Sequence, residues 1–123
     1  AEAAARTWLD GLSMLQICGI KACDSMKKAF ARLDAAGVAY AFQDFKKVPP
    51  SAEQVQVWLA TVGDALVNRK GTTWRQLDAA EQALAATEAG LIALVVSKPS
   101  LIKRPLLSNG TLTTVGLDSS LLP

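Results

Sequence analysis

The sequence predicts an α/β fold: a βαβ unit, a helical insertion over about residues 51–97, and a closing ββα run, all around one mixed sheet. Three observations predict it. The apolar spacing between Leu15 and Asp44 switches from a short continuous run to a helical period and then to alternation. Pro49-Pro50 then breaks the chain ahead of two capping-box patterns. Near the end, Asn109-Gly110 stands between two apolar runs, the strongest short-range hairpin signal.

Leu15 to Cys18 is an apolar run ending at Gly19 and reads as a strand. Met26, Ala29, Phe30 and Leu33 then fall at helical spacing, with Lys27, Lys28 and Arg32 on the other face. Asp24 in the first turn suits the helix dipole, and Gly37 is the stop. Val38, Tyr40 and Phe42 alternate with Ala39, Ala41 and Gln43 through Asp44, a second strand. A helical crossover makes these two strands parallel neighbours. Ser51 with Gln54 opens a helix that places Val55, Trp58 and Leu59 on one face. Thr73 is expected to cap a short turn carrying Trp74 and Leu77. Asp78 with Glu81 opens a helix through Leu84, and residues 88–97 read as a largely buried apolar helix stopped by Pro99. Leu106-Leu107 and Leu112 to Val115 flank the turn Ser108-Asn109-Gly110-Thr111 as a hairpin, and Asp118 to Leu122 is expected to add a short terminal helix. Residues 1–13 read as an N-terminal extension or leader outside the core, leaving 14–123 as a single domain.

Composition removes several classes of chemistry. The chain has 123 residues, with 13 Lys and Arg against 11 Asp and Glu, a net charge of +2. So small and scattered an excess does not make a nucleic-acid surface. There is no histidine, which excludes Ser-His and Cys-His nucleophiles and histidine metal sites. Two cysteines cannot build a four-cysteine zinc or iron–sulfur site within one chain, so no metal is expected. The longest apolar run, Ala89 to Val96, is far below the ~18 residues of a membrane span. Residues 1–13 lack the apolar segment of a signal peptide. Together with the unpaired cysteines this sets the expectation of a cytoplasmic protein.

Three segments carry polar chemistry. Cys23 follows a strand and a short loop and opens a helix. There the free N–H groups of the first turn stabilise a thiolate, and Lys21, Lys27 and Lys28 add positive potential. Arg104 precedes Pro105 directly before a strand. A cis bond there would aim the guanidinium and a backbone edge at the same cleft as Cys23. Asn68-Arg69-Lys70-Gly71-Thr72-Thr73-Trp74-Arg75 combines guanidinium, glycine and hydroxyls. It reads equally as an anion site or a polar linker. Cys18, five residues before Cys23, is either a resolving thiol or a small hydrophobe of the sheet.

Gly19-Ile20-Lys21-Ala22-Cys23-Asp24, Leu66-Val67-Asn68-Arg69-Lys70-Gly71-Thr72-Thr73-Trp74-Arg75 and Pro99-Ser100-Leu101-Ile102-Lys103-Arg104-Pro105-Leu106-Leu107 together resemble the arsenate reductase and Spx family. The likeness runs from Met14 to about Ser119. It implies a thioredoxin-like fold with a helical insertion. It also implies Cys23 as nucleophile, Arg69 and Arg104 as two of the three arginines that hold the oxyanion, and Pro105 as a cis-proline. Lys21 is expected to join them in anion binding. The chain departs from the family patterns at defined places. Where true arsenate reductases have His-Asn-Pro-x-Cys, the histidine position is Gly19 and the proline position Lys21. No arginine follows Arg104, and the second cysteine of the Spx pattern is Met26. The G-I-K-x-C-D and G-T-T-W-R segments are most similar to a subgroup proposed to be glutathione-dependent thiol reductases.

The resemblance therefore implies a monomeric thiol oxidoreductase with one catalytic cysteine. Glutathione would be its co-substrate, a small oxyanion or disulfide its substrate, and no cofactor stays bound. Cys18 is then structural. The alternatives are arsenate reduction proper and a non-enzymatic Spx-like regulator that contacts RNA polymerase.

Overall fold

A computed structural model describes residues 15–123, so the expected leader over 1–13 lies outside the described residues. The described chain falls into two compact units, residues 15–48 with Arg104–Pro123, and Pro49–Lys103.

The first unit holds strand β1 (Leu15–Gly19), helix α1 (Asp24–Ala35), strand β2 (Tyr40–Asp44) and, after the insertion, strands β3 (Leu106–Ser108) and β4 (Thr113–Val115). They form one mixed sheet in the order β2-β1-β3-β4. β1 runs parallel to β2, with Leu15 opposite Tyr40 and Ile17 opposite Phe42. It runs antiparallel to β3, with Ile17 opposite Leu107 and Cys18 opposite Leu106. β3 and β4 form the expected hairpin, but its turn is shifted by one residue from Asn109-Gly110. Ser108 faces Thr113 and the Asn109 N–H donates to the Leu112 carbonyl, so Gly110 and Thr111 are the central residues and β4 begins at Thr113 and not at Leu112. The Asn109 side chain holds this register by accepting from the Thr111 and Leu112 N–H groups, and Gly110 takes a left-handed φ of 94°.

Strand alternation puts Leu15, Ile17 and Leu107 on one face, where they pack with Met26, Ala29 and Leu33 of α1 and with Leu122. Phe30 closes this core at the side, stacked on Tyr40 at 5.7 Å and edge-on to Phe42 at 5.0 Å. β2 begins at Tyr40 and not Val38. Gly37, at φ 69°, and Val38 are used to close α1. The Gly37 N–H donates to the Asp34 carbonyl and the Val38 N–H to the Leu33 carbonyl, a Schellman ending.

The expected helix over 118–122 does not form; the segment turns on Ser119, whose Oγ accepts from the Leu121 N–H at 2.9 Å. The serine offers the backbone a competing partner there. Arg32 of α1 ties the segment down, donating to the Leu117 carbonyl and twice to the Pro123 carbonyl.

The second unit runs from Pro49 to Lys103, wider than the expected insertion. It contains α2 (Ala52–Val62), a 3-10 turn (Gly63–Leu66), α3 (Thr72–Arg75), α4 (Ala79–Leu84), α5 (Glu88–Ser97) and a second 3-10 turn (Pro99–Leu101). Both capping boxes are present. α3 is capped by Gly71 and not by Thr73. The Asn68 side chain accepts from the Lys70 N–H and its carbonyl from the Gly71 N–H, and this turn delivers the chain into the helix two residues early. α5 buries Leu91, Leu94 and Val95 and leaves Ala93 exposed, so it is half-buried rather than largely buried. The unit's ends are tied by an antiparallel bridge between Val67 and Ile102. Bonds from the Asn68 N–H to the Leu101 carbonyl and from the Lys103 N–H to the Leu66 carbonyl flank it, both 2.8 Å.

Candidate active site

The loop after β1 is a tight turn, with the Cys23 N–H donating to the Ile20 carbonyl at 3.1 Å. Cys23 then serves as the N-cap of α1, with extended backbone (φ −74°, ψ 137°) and no side chain hydrogen-bonded to the first turn. The first-turn N–H groups therefore have no side-chain cap, and Cys23 is the residue that stands beside them. Cys23 is half-buried, its side chain against the Ile17–Met26 core, while Lys21 and Ala22 are exposed.

Arg104 and Pro105 join this site through the sheet register. Cys18 faces Leu106 across the antiparallel pair, so the two residues before β3 lie at the level of Gly19 and Ile20, the end from which the Cys23 loop departs. The Arg104–Pro105 bond is cis. Pro105 is buried and its carbonyl accepts from the Gly116 N–H at 2.9 Å. Arg104 is half-buried and, among the described residues, has no carboxylate partner. Of the residues expected from sequence, Cys23, Lys21, Arg104 and Pro105 thus share one end of the sheet.

Arg69 lies in the helical unit. Its guanidinium is 4.7 Å from the Trp74 ring centroid and 3.8 Å from Asp64 Oδ1. The long, exposed ion pair is worth little, and the stacking on Trp74 holds the guanidinium plane while leaving its N–H edges available. Asp64, Asn68, Arg69, Lys70 and Lys103 line a groove of about 410 Å³. Asp64 carries no signal in the sequence, since only the 3-10 turn brings it back to Arg69.

Cys18 occupies a different environment. It is fully buried on the sheet face opposite Ile17, with its Sγ 3.9 Å from Gln43 Oε1. Burial pushes its pKa up to about 12, so it is a neutral thiol at physiological pH. Both cysteines are free. Cys23 packs on the α1 side of the sheet, so the two side chains lie on opposite faces.

The departures at positions 19 and 26 meet in space. A Cβ on Gly19 would lie 2.5 Å from Met26 Sδ and 2.9 Å from its Cε. The thioether of the fully buried Met26 fills the place where a side chain at 19 would begin.

The sequence model of the ArsC family matches residues 18–121. The chain belongs to the ArsC family. Its fold is similar to that of the YFFB protein, 46% identical with a TM-score of 0.79 over 84% of this chain and 90% of that one. It is similar to an arsenate reductase (ArsC) related protein of Brucella melitensis, 38% identical with a TM-score of 0.69 over 84% and 86%. An uncharacterised protein of Haemophilus influenzae is 30% identical over 112 residues, 85% of this chain and 92% of that protein. The mixed sheet with its parallel β1–β2 pair and antiparallel hairpin is the thioredoxin-like α/β fold of this ArsC protein. Among the described residues no helix is long and apolar enough to cross a membrane.

Proposed function

We propose that this ArsC-family chain is a thiol oxidoreductase in which Cys23 is the single nucleophile and glutathione the electron donor. The observation that carries the reading is the contrast between the two thiols. Cys23 is half-exposed at a helix N-cap at the same end of the sheet as Arg104, and Cys18 is buried and neutral on the opposite face. The Cys23 thiolate attacks one sulfur of a substrate disulfide, forms a new S–S bond, and expels the other sulfur as a thiolate. A glutathione thiolate attacks the Cys23 mixed disulfide and restores the Cys23 thiolate. A second glutathione thiolate resolves the mixed disulfide this leaves, so the substrate is reduced and two glutathiones become one glutathione disulfide. Arg104, with Lys21, supplies charge for a carboxylate or oxyanion on the substrate. The chemistry needs one chain, no bound cofactor and a reducing compartment such as the cytoplasm.

Intact-mass spectrometry after incubation with oxidised glutathione tests this. One glutathionyl adduct on the wild type, absent from Cys23→Ser and removed by excess reduced glutathione, is expected. A dominant Cys18–Cys23 disulfide or no adduct overturns it. Arsenate reduction is the second reading, favoured by the likeness to the arsenate reductase (ArsC) related protein of Brucella melitensis. Its signature is arsenite formation dependent on Cys23 and glutathione.

A further inference from the structure

Adjoining the Cys23 loop, the first unit carries a cavity of about 610 Å³ lined by Lys21, Ala22, Lys27, Phe30, Ala31, Asp34 and Lys46. It belongs to one compact unit. Its floor is apolar, made by Phe30 and Ala31, and Phe30 is held in place by the Tyr40 and Phe42 rings. Its rim is charged. Lys21 comes from the turn ahead of Cys23, Lys27 lies one helical turn beyond Cys23, and Lys46 follows β2, where its N–H is fixed to Asp44 Oδ1 at 3.0 Å. None of the three ammonium groups is ion-paired among the described residues. The sole lining carboxylate, Asp34, already accepts from the Tyr40 hydroxyl at 3.1 Å through one oxygen. The lining thus has three positive charges and one negative.

A ligand that neutralises this lining carries two carboxylates for the lysines, one ammonium for the open oxygen of Asp34, and an apolar stretch for Phe30 and Ala31. We infer that the cavity binds a small zwitterionic peptide of that charge pattern and that it is the seat of the peptidic thiol that resolves the Cys23 mixed disulfide. The second half of this inference rests on the reading of Cys23 as the nucleophile; the first half does not. Lys21 and Ala22 precede Cys23 in the chain, and the Lys27 N–H donates to the Cys23 carbonyl at 3.0 Å. A peptide held here is therefore delivered to the segment that carries the sulfur.

The test uses the full chain as Cys23→Ser, isotopically labelled, with S-methylglutathione as the probe, because that probe has the two carboxylates and the ammonium but no reactive thiol. Amide shifts confined to Lys21, Ala22, Lys27, Phe30, Ala31 and Lys46 are expected, with at least tenfold weaker binding in Lys27→Glu and in Lys46→Glu. Both variants are exposed substitutions, and an unchanged melting temperature excludes unfolding as the cause. Shifts centred on Arg104, an equal response to the probe's dimethyl ester, or the same shifts from acetate at the same concentration would each overturn the site. In otherwise wild-type chains, Lys27→Glu and Lys46→Glu should slow removal of the Cys23 adduct by reduced glutathione at least tenfold. Probe binding in the cavity without any adduct on the wild type would sink the Cys23 reading and leave the peptide site standing. Adduct formation and release at unaltered rates in both lysine variants would do the reverse.

Discussion

Replacing Gly19 with alanine tests the packing beneath the Cys23 loop. The new Cβ would sit 2.5 Å from Met26 Sδ, 2.9 Å from Cε and 3.3 Å from Cγ. The end of a methionine is flexible on a surface, but Met26 is fully buried among Ile17, Ala29 and Leu33, so it has no open direction in which to retreat. Inserting a methyl into such a core costs about 1–3 kcal/mol. Met26→Ala alone removes a buried thioether chain and should cost about 2–5 kcal/mol. The double variant places the methyl added at position 19 in part of the space that Met26 vacates, so the two costs should not add. A coupling of at least about 1 kcal/mol in favour of the double variant is expected for residues in direct contact. Urea unfolding of the four proteins, with m held common, measures it. Costs that add within about 0.5 kcal/mol would refute the direct contact.

Two further outcomes follow from the cysteine pair and from α5. Cys18 has its folded pKa raised to about 12 by burial, whereas an unfolded cysteine titrates near ~8.5. Its contribution to stability is complete below the unfolded value and falls by about 1.4 kcal/mol per pH unit as the pH rises from there towards the folded value; urea midpoints at several alkaline pH values should fall more steeply for the wild type than for Cys18→Ala, and parallel slopes would contradict the buried neutral thiol. Gly90→Ala normally gains helix propensity, about 0.5–1 kcal/mol. Here a Cβ runs into the Leu84 carbonyl oxygen and Thr87 Oγ1, so thermal unfolding should show a loss of about 1–3 kcal/mol, and a stabilised variant would show that the α4–α5 turn yields.

The elements legible in the sequence were those whose cause is local. The helical spacing of Met26, Ala29 and Leu33 and the two capping boxes appear where the sequence places them, and the final hairpin forms with its turn moved one residue along by the Asn109 side chain. What was not legible was set by tertiary competition. Val38 alternates like a strand residue but is consumed in closing α1. Asp118 to Leu122 reads as a short helix, yet Leu121 and Leu122 serve the first unit's core while Arg32 takes the carbonyls of Leu117 and Pro123 on either side. The site divides in the same way. Cys23 at its cap and Arg104 before β3 follow from chain order and motif. The lysine-lined cavity does not, because it combines residues from a turn, one face of α1 and the end of β2 that lie up to 25 positions apart, from Lys21 to Lys46.

The departures from the family patterns at positions 19 and 26 have a single physical account. Glycine at 19 removes the side chain of that position, and methionine at 26 fills the room with a thioether. A thioether cannot form a disulfide, so the helix position that would offer a second thiol to Cys23 instead anchors the core. The other thiol of the chain, on Cys18, is separated from Cys23 by the sheet itself. Under the proposed reading, then, closing the catalytic cycle falls to a thiol from outside the chain. A protein that delegates that step needs a place to hold the incoming thiol. Three lysines with no ion pair among the described residues line the α1 cavity, Lys21 and Lys27 on the turn and helix that present Cys23 and Lys46 after β2, and they supply a charge pattern suited to holding it.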